Sequence, residues 1–165
     1  MRFDEFYAGQ VLELGPIRIE QADIIAFAKA YDPQWFHTDP ERARSSRWQG
    51  LIASGWHTCA IAMRLVCDGP LQGSESIGSP GLAYVKWPAP VRPGDELRLE
   101  VAVIGTRTSS SGRTRVLNWR WRLLNQRQEI VLELEAVSLF EPAVAGEGRA
   151  AIERTGEVVE GKIKT

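Results

Sequence analysis

Three stretches in the second half of the chain alternate apolar and polar side chains with a period of two. Leu97, Leu99, Val101 and Val103 are separated by residues that include Arg98 and Glu100. Leu117, Trp119, Trp121 and Leu123 alternate with Asn118, Arg120 and Arg122, and Leu132, Leu134 and Ala136 alternate with Glu133 and Glu135. This period predicts antiparallel strands with one buried and one wetter face. Turns are expected at 108–112 and 125–128, and Arg92-Pro93-Gly94-Asp95 has Pro and Gly in the order a type II turn prefers. A further strand is expected at 82–87, after a Gly/Ser/Pro-rich connection. The charges left on the outer face, Arg98, Arg120 and Arg122 against Glu100, Glu133 and Glu135, have the signs to pair across strands.

The first half changes period. Weak strands are expected at 11–14 and 17–20, divided by Gly15-Pro16. Ile24, Phe27, Ala28 and Tyr31 then recur at i, i+3, i+4 and i+7, the apolar stripe of a packed helix. That helix should stop at Asp32, because Pro33 disfavours the α conformation in the residue before it. Thr38-Asp39-Pro40-Glu41 signals a short helix through about residue 46, with Thr38 or Asp39 as cap and Pro in the first turn. A longer helix is expected from Ser54 to about Cys67; Trp56, Ile61, Met63, Leu65 and Val66 make it apolar nearly all round, so burial on most sides is expected. Residues 1–142 would form one α+β domain, a long antiparallel sheet wrapped around one buried helix, and 143–165 an Ala/Gly/Glu-rich tail. The exposed edge of such a sheet needs cover, which a homodimer supplies.

Bulk properties add limits. A chain of 165 residues suits a single domain with a real core. The 20 basic and 21 acidic residues nearly cancel, so net charge gives no case for nucleic acid. No apolar run approaches a membrane span and Met1-Arg2-Phe3-Asp4 does not open a signal peptide, which makes a cytoplasmic protein the expectation. Cys59 and Cys67, eight positions apart on one helix, stand about 12 Å apart, too far for a disulfide; both are read as buried small hydrophobes.

The candidate chemistry lies between Tyr31 and Thr58. Asp32 and His37 are five positions apart in a segment that must curl for them to meet. A carboxylate and an imidazole converging on one point can hold and deprotonate a water. The start of the Ser54 helix offers free N–H groups at Gly55, where no side chain blocks approach, and such donors stabilise a thioester oxyanion. Asp and His at this spacing also occur by chance.

The stretch Asp32-Pro33-Gln34-Trp35-Phe36-His37 resembles the Asp-x-Asn-Pro-aliphatic-His pattern of the MaoC-like dehydratases and (R)-specific enoyl-CoA hydratases. The preceding FAKAYD, the run Gly50-Leu51-Ile52-Ala53-Ser54-Gly55, and KWPAPVRPGDELR fit the same family in order across about residues 10–141. The resemblance implies a hot-dog fold, pairing into dimers, and hydro-lyase activity on an acyl-CoA thioester without metal or cofactor. It assigns water activation to Asp32 and His37 and the oxyanion contact to Gly55 N–H. Gln34 and Trp35 replace the family Asn and Pro, and Ser54 stands where His is frequent; all three are carried as substrate-binding positions, with Trp35 expected to reshape the acyl tunnel.

Plainer roles stand beside these. Asp32 suits a turn before Pro33, Ser54 an N-cap, Gly55 helix packing, and His57 a core or dimer contact. Trp119 and Trp121, two apart on one strand, read as core. Arg42, Arg44 and Arg47 read as a solvated face within reach of coenzyme A phosphates. Two other functions fit the same fold: a thioesterase, disfavoured because residues 54–67 contain no acid, and a non-catalytic acyl-thioester binding module.

Overall fold

The computed structural model describes residues 1–142; the expected tail lies outside the described residues. The chain runs β1 (Val11–Arg18), α1 (Gln21–Tyr31), α2 (Trp35–Thr38), α3 (Pro40–Arg44), α4 (Gly55–Asp68), β2 (Ser76–Lys86), β3 (Glu96–Thr108), β4 (Arg115–Leu124) and β5 (Ile130–Phe140). The strands form one antiparallel sheet in the order β1-β3-β4-β5-β2. The α+β, hot-dog expectation is met.

Period-two alternation sets the register. Val101 lies opposite Trp121, and Trp121 opposite Leu134, so one apolar file crosses three strands on the same face. Onto that face α4 lays Ile61, Ala62 and Val66, all buried in the cluster that holds Trp119 and Trp121. The opposite face carries the expected ion pairs, Arg122–Glu133 at 2.8 Å and Arg120–Glu135 at 3.2 Å. Half-exposed pairs of this kind stabilise little.

The structure corrects four sequence expectations. The two weak strands are one, β1, whose ladder shifts register between Leu14 and Ile17, where Gly15 takes φ +99° with Leu97 O close by. The Gly/Ser/Pro-rich connection is half strand: β2 begins at Ser76 and tolerates Gly78 and Gly81 at positive φ because register shifts occur there. The central helix is not buried on most sides. Trp56 (60% exposed) and Met63 (42%) show one face to solvent, and Cys67 is exposed there too, while Cys59 is half-buried. The segment holding His37, where no helix is expected ahead of the one that Thr38 or Asp39 starts, is a single helical turn, α2.

The helix boundaries follow the sequence signals. Helix α1 ends at Tyr31 with Asp32 as its C-cap, before Pro33. Asp39 caps α3 by accepting from Arg42 N–H at 3.0 Å, with Pro40 at the first position. Ser54 caps α4 by accepting from Trp56 N–H at 3.2 Å. No helix among the described residues is long and apolar enough to cross a membrane.

Candidate active site

Four chain segments meet where α1 ends and α4 begins. Asp32 leaves α1 with its side chain 20% exposed, and α2 turns His37 back toward it until Nε2 stands 3.4 Å from Asp32 Oδ2. His37 is buried, and its Nδ1 lies 2.8 Å from the carbonyl oxygen of Ile52. A carbonyl only accepts, so in the neutral ring the hydrogen sits on Nδ1 and Nε2 presents a lone pair. Two acceptors thus face the same space, an arrangement that a water molecule donating to both would satisfy.

The carboxylate is held at both oxygens. Ser54 Oγ donates to Oδ2 at 2.7 Å and Gln34 Nε2 donates to Oδ1 at 2.8 Å. The Ser54 hydroxyl does most to hold the carboxyl below its ordinary range; burial opposes it, and the Gln34 amide and His37 add to the lowering. Asp32 is therefore ionised at neutral pH.

Gly55 opens α4 beside this pair. Its N–H has no acceptor among the described residues, as the first turn of a helix requires unless a ligand supplies one. A side chain here would have to displace its neighbour: a Cβ on Gly55 would lie 2.6 Å from Cε2 of Trp87, whose indole N–H donates to Gly55 O at 2.9 Å.

A cleft of about 450 Å³ runs past these groups, lined by Asp32, Gln34, His37 and Gly55. Its walls are largely apolar and include four large aromatic rings, Phe36, Trp48, Trp56 and Trp87. Trp35 does not line it. That ring packs edge-on against Phe36 and under the Arg42 guanidinium, 4.5 Å away. Ser54 is fully buried and touches the site through Asp32 rather than through the cleft. His57 is buried, stacked on Phe27 at 4.7 Å and outside the cleft lining.

Four wall positions were not singled out from the sequence as site residues: Phe36, Trp48, Trp56 and Trp87. The signal for the last lay within the KWPAPVRPGDELR run, where a large aromatic precedes two prolines and so cannot continue the strand. The run is drawn back along the site when Ala53 N–H donates to Val91 O at 2.8 Å.

Residues 5–118 match the family model described as "MaoC like domain". The chain belongs to the MaoC-like family. Over 104 residues it is 36% identical to the uncharacterized protein YdeM of Bacillus subtilis, a match spanning 63% of this chain and 74% of YdeM. It is 34% identical over 98 residues to 3-hydroxyacyl-thioester dehydratase Z of Mycobacterium tuberculosis, spanning 58% of this chain and 65% of that enzyme, a little under two thirds of its length. Among solved structures, the MaoC-like dehydratase from Rhodospirillum rubrum superposes with a TM-score of 0.77 at 39% identity, covering 85% of this chain and 96% of the other. The matched MaoC-like region contains Asp32, His37, Ser54 and Gly55.

Proposed function

We propose that the protein is a hydro-lyase that adds water to a trans-2-enoyl thioester, or in reverse dehydrates a 3-hydroxyacyl thioester. The observation that carries this reading is the 3.4 Å approach of His37 Nε2 to Asp32 Oδ2, two acceptors sharing one side of an apolar cleft. Asp32 orients the water and His37 takes its proton as the oxygen bonds to C3. Electron density moves to the thioester oxygen, which accepts from Gly55 N–H at the positive end of α4. A proton returned to C2 completes the net addition of water.

The name of the mycobacterial relative, a 3-hydroxyacyl-thioester dehydratase, supports this reaction class. The thioesterase alternative gains nothing from the structure: the one acid in α4 is Asp68, at its far end and paired with Arg64 at 2.6 Å. The acyl carrier is taken to be coenzyme A.

The same reading makes the protein a homodimer. β2 ends the sheet and presents Ile77 (53% exposed) and Leu82 (47%), while α4 exposes Trp56 and Met63. An unpaired edge flanked by large apolar side chains is a surface that needs a partner. Loss of the enoyl chromophore of crotonyl-CoA, compared between wild type, Asp32→Asn and His37→Gln, tests the activity.

A further inference from the structure

The first contact of the Asp32 carboxylate, with buried Ser54, is built into the start of α4. The second is different in kind. Gln34 is exposed, lines the cleft, and caps α2 only through its backbone, with no side-chain capping bond. Its main chain is nonetheless tied to both members of the pair. Gln34 N–H donates to Asp32 O at 2.8 Å, and Gln34 O accepts from His37 N–H at 2.9 Å and from Thr38 Oγ1 at 3.1 Å. With the backbone fixed on either side, the amide reaches back to Asp32 Oδ1 at 2.8 Å. An ionised carboxylate only accepts, so the nitrogen of the amide faces it.

We propose that Gln34 is a positioning residue, its side-chain amide locking the rotation of the Asp32 carboxylate so that Oδ2 and His37 Nε2 address the same water. The terminal torsion of an aspartate has a broad, soft profile, and a single hydrogen bond at Oδ2 restrains that rotation only weakly. Bonds at both oxygens fix the plane. Swinging would carry Oδ2 out of its 3.4 Å relation to Nε2, and misplacements of about 1 Å cost catalysis on the order of a hundredfold. Because the Gln34 side chain caps nothing and is solvent-exposed, its removal separates positioning from folding. This inference rests on the hydration reading for its kinetics, but not for its effect on the carboxylate.

The test uses the full chain with Gln34→Ala and the near-isosteric Gln34→Glu. Three quantities are read: kcat and KM with crotonyl-CoA, thermal unfolding, and the titration of the Asp32 carboxyl by carbon NMR without substrate. Gln34→Ala is expected to lower kcat about tenfold or more with KM within about twofold, to leave the unfolding temperature unchanged, and to move the Asp32 titration upward. Gln34→Glu sets a second anion against Asp32; its kcat falls further at neutral pH and recovers partly on acidification, as the new carboxyl gains a proton and donates. A raised KM with unchanged kcat would make Gln34 a substrate contact and overturn the proposal. So would an Asp32 titration that does not move. If wild type hydrates no enoyl thioester, the hydration reading fails, and the Asp32 titration alone decides the positioning role.

Discussion

Ser54 Oγ donates to Asp32 Oδ2 at 2.7 Å while accepting from Trp56 N–H at 3.2 Å, so one hydroxyl starts the central helix and fixes the Asp32 carboxylate. The two residues are 22 positions apart, and the contact ties the end of α1 to the beginning of α4.

Ser54→Ala breaks both bonds at once. Loss of an N-cap costs about 1 kcal/mol, and a part-buried carboxylate deprived of a donor adds about 1 kcal/mol. Denaturant unfolding should show a lower midpoint with unchanged slope, and kcat should fall at least about tenfold. A Ser54→Thr variant keeps the hydroxyl and should recover most of both losses.

Gly55→Ala forces a Cβ to 2.6 Å from the Trp87 ring, which then has to give up its bond to Gly55 O. Overpacking of this kind costs about 1–3 kcal/mol, and displacement of the Gly55 N–H should lower kcat by more than about tenfold. Combining Gly55→Ala with Trp87→Ala should restore stability toward that of Trp87→Ala alone without restoring activity. Equal recovery of both would remove Gly55 from the oxyanion contact.

Burial pushes the His57 imidazole below its ordinary pKa, opposed by the nearby Asp23 carboxylate, and its Nδ1 has no hydrogen-bond partner among the described residues. Phe27, from α1, covers one face of the ring. The unfolded chain takes up the proton first as pH falls, so stability is intact above the ordinary value of about 6.5 and declines as pH falls through it, levelling off below the folded value. Unfolding curves of wild type and His57→Phe, which keeps a ring against Phe27, should diverge across that window, with the variant the less pH-sensitive. The lowered Asp32 carboxyl acts in a separate, more acid range: its contribution is present above about pH 4 and is lost below.

Met63 lies on the exposed face of α4, among Trp56 and Cys67, and lines a groove together with Gly78, Ser79 and Leu82 of β2. Light scattering should give the mass of two chains for wild type and one for Met63→Glu. A monomeric wild type at micromolar concentration would remove the dimer from the account.

The features most legible from sequence were those with strong local causes. Alternation placed β3, β4 and β5, Pro33 ended α1 at Tyr31, and Asp39 and Ser54 capped the helices expected of them. The start of β2 was hidden because an exposed edge strand need not alternate, and its glycines sit at bulges. The exposed face of α4 was hidden because apolar side chains read as buried whether the cover is this chain or another. The Asp32–His37 meeting is legible in the sequence, yet its supports are only half visible there: the sequence marks Ser54 as a cap and a substrate-binding position, and Gln34 as a substrate-binding position. The aromatic walls at Trp48 and Trp87 depend on folding across some forty positions, for which local pattern carries no signal.

The central claim is that Asp32 and His37 act on one shared water. Its most direct measurement is crotonyl-CoA hydration across pH by wild type, Asp32→Asn and His37→Gln. The account predicts turnover by wild type and a loss of about a hundredfold or more in each variant, with both proteins folded. It also predicts a double variant scarcely worse than either single one, since the two groups act as a unit. Variants that retain wild-type kcat, or losses that multiply independently, would contradict it.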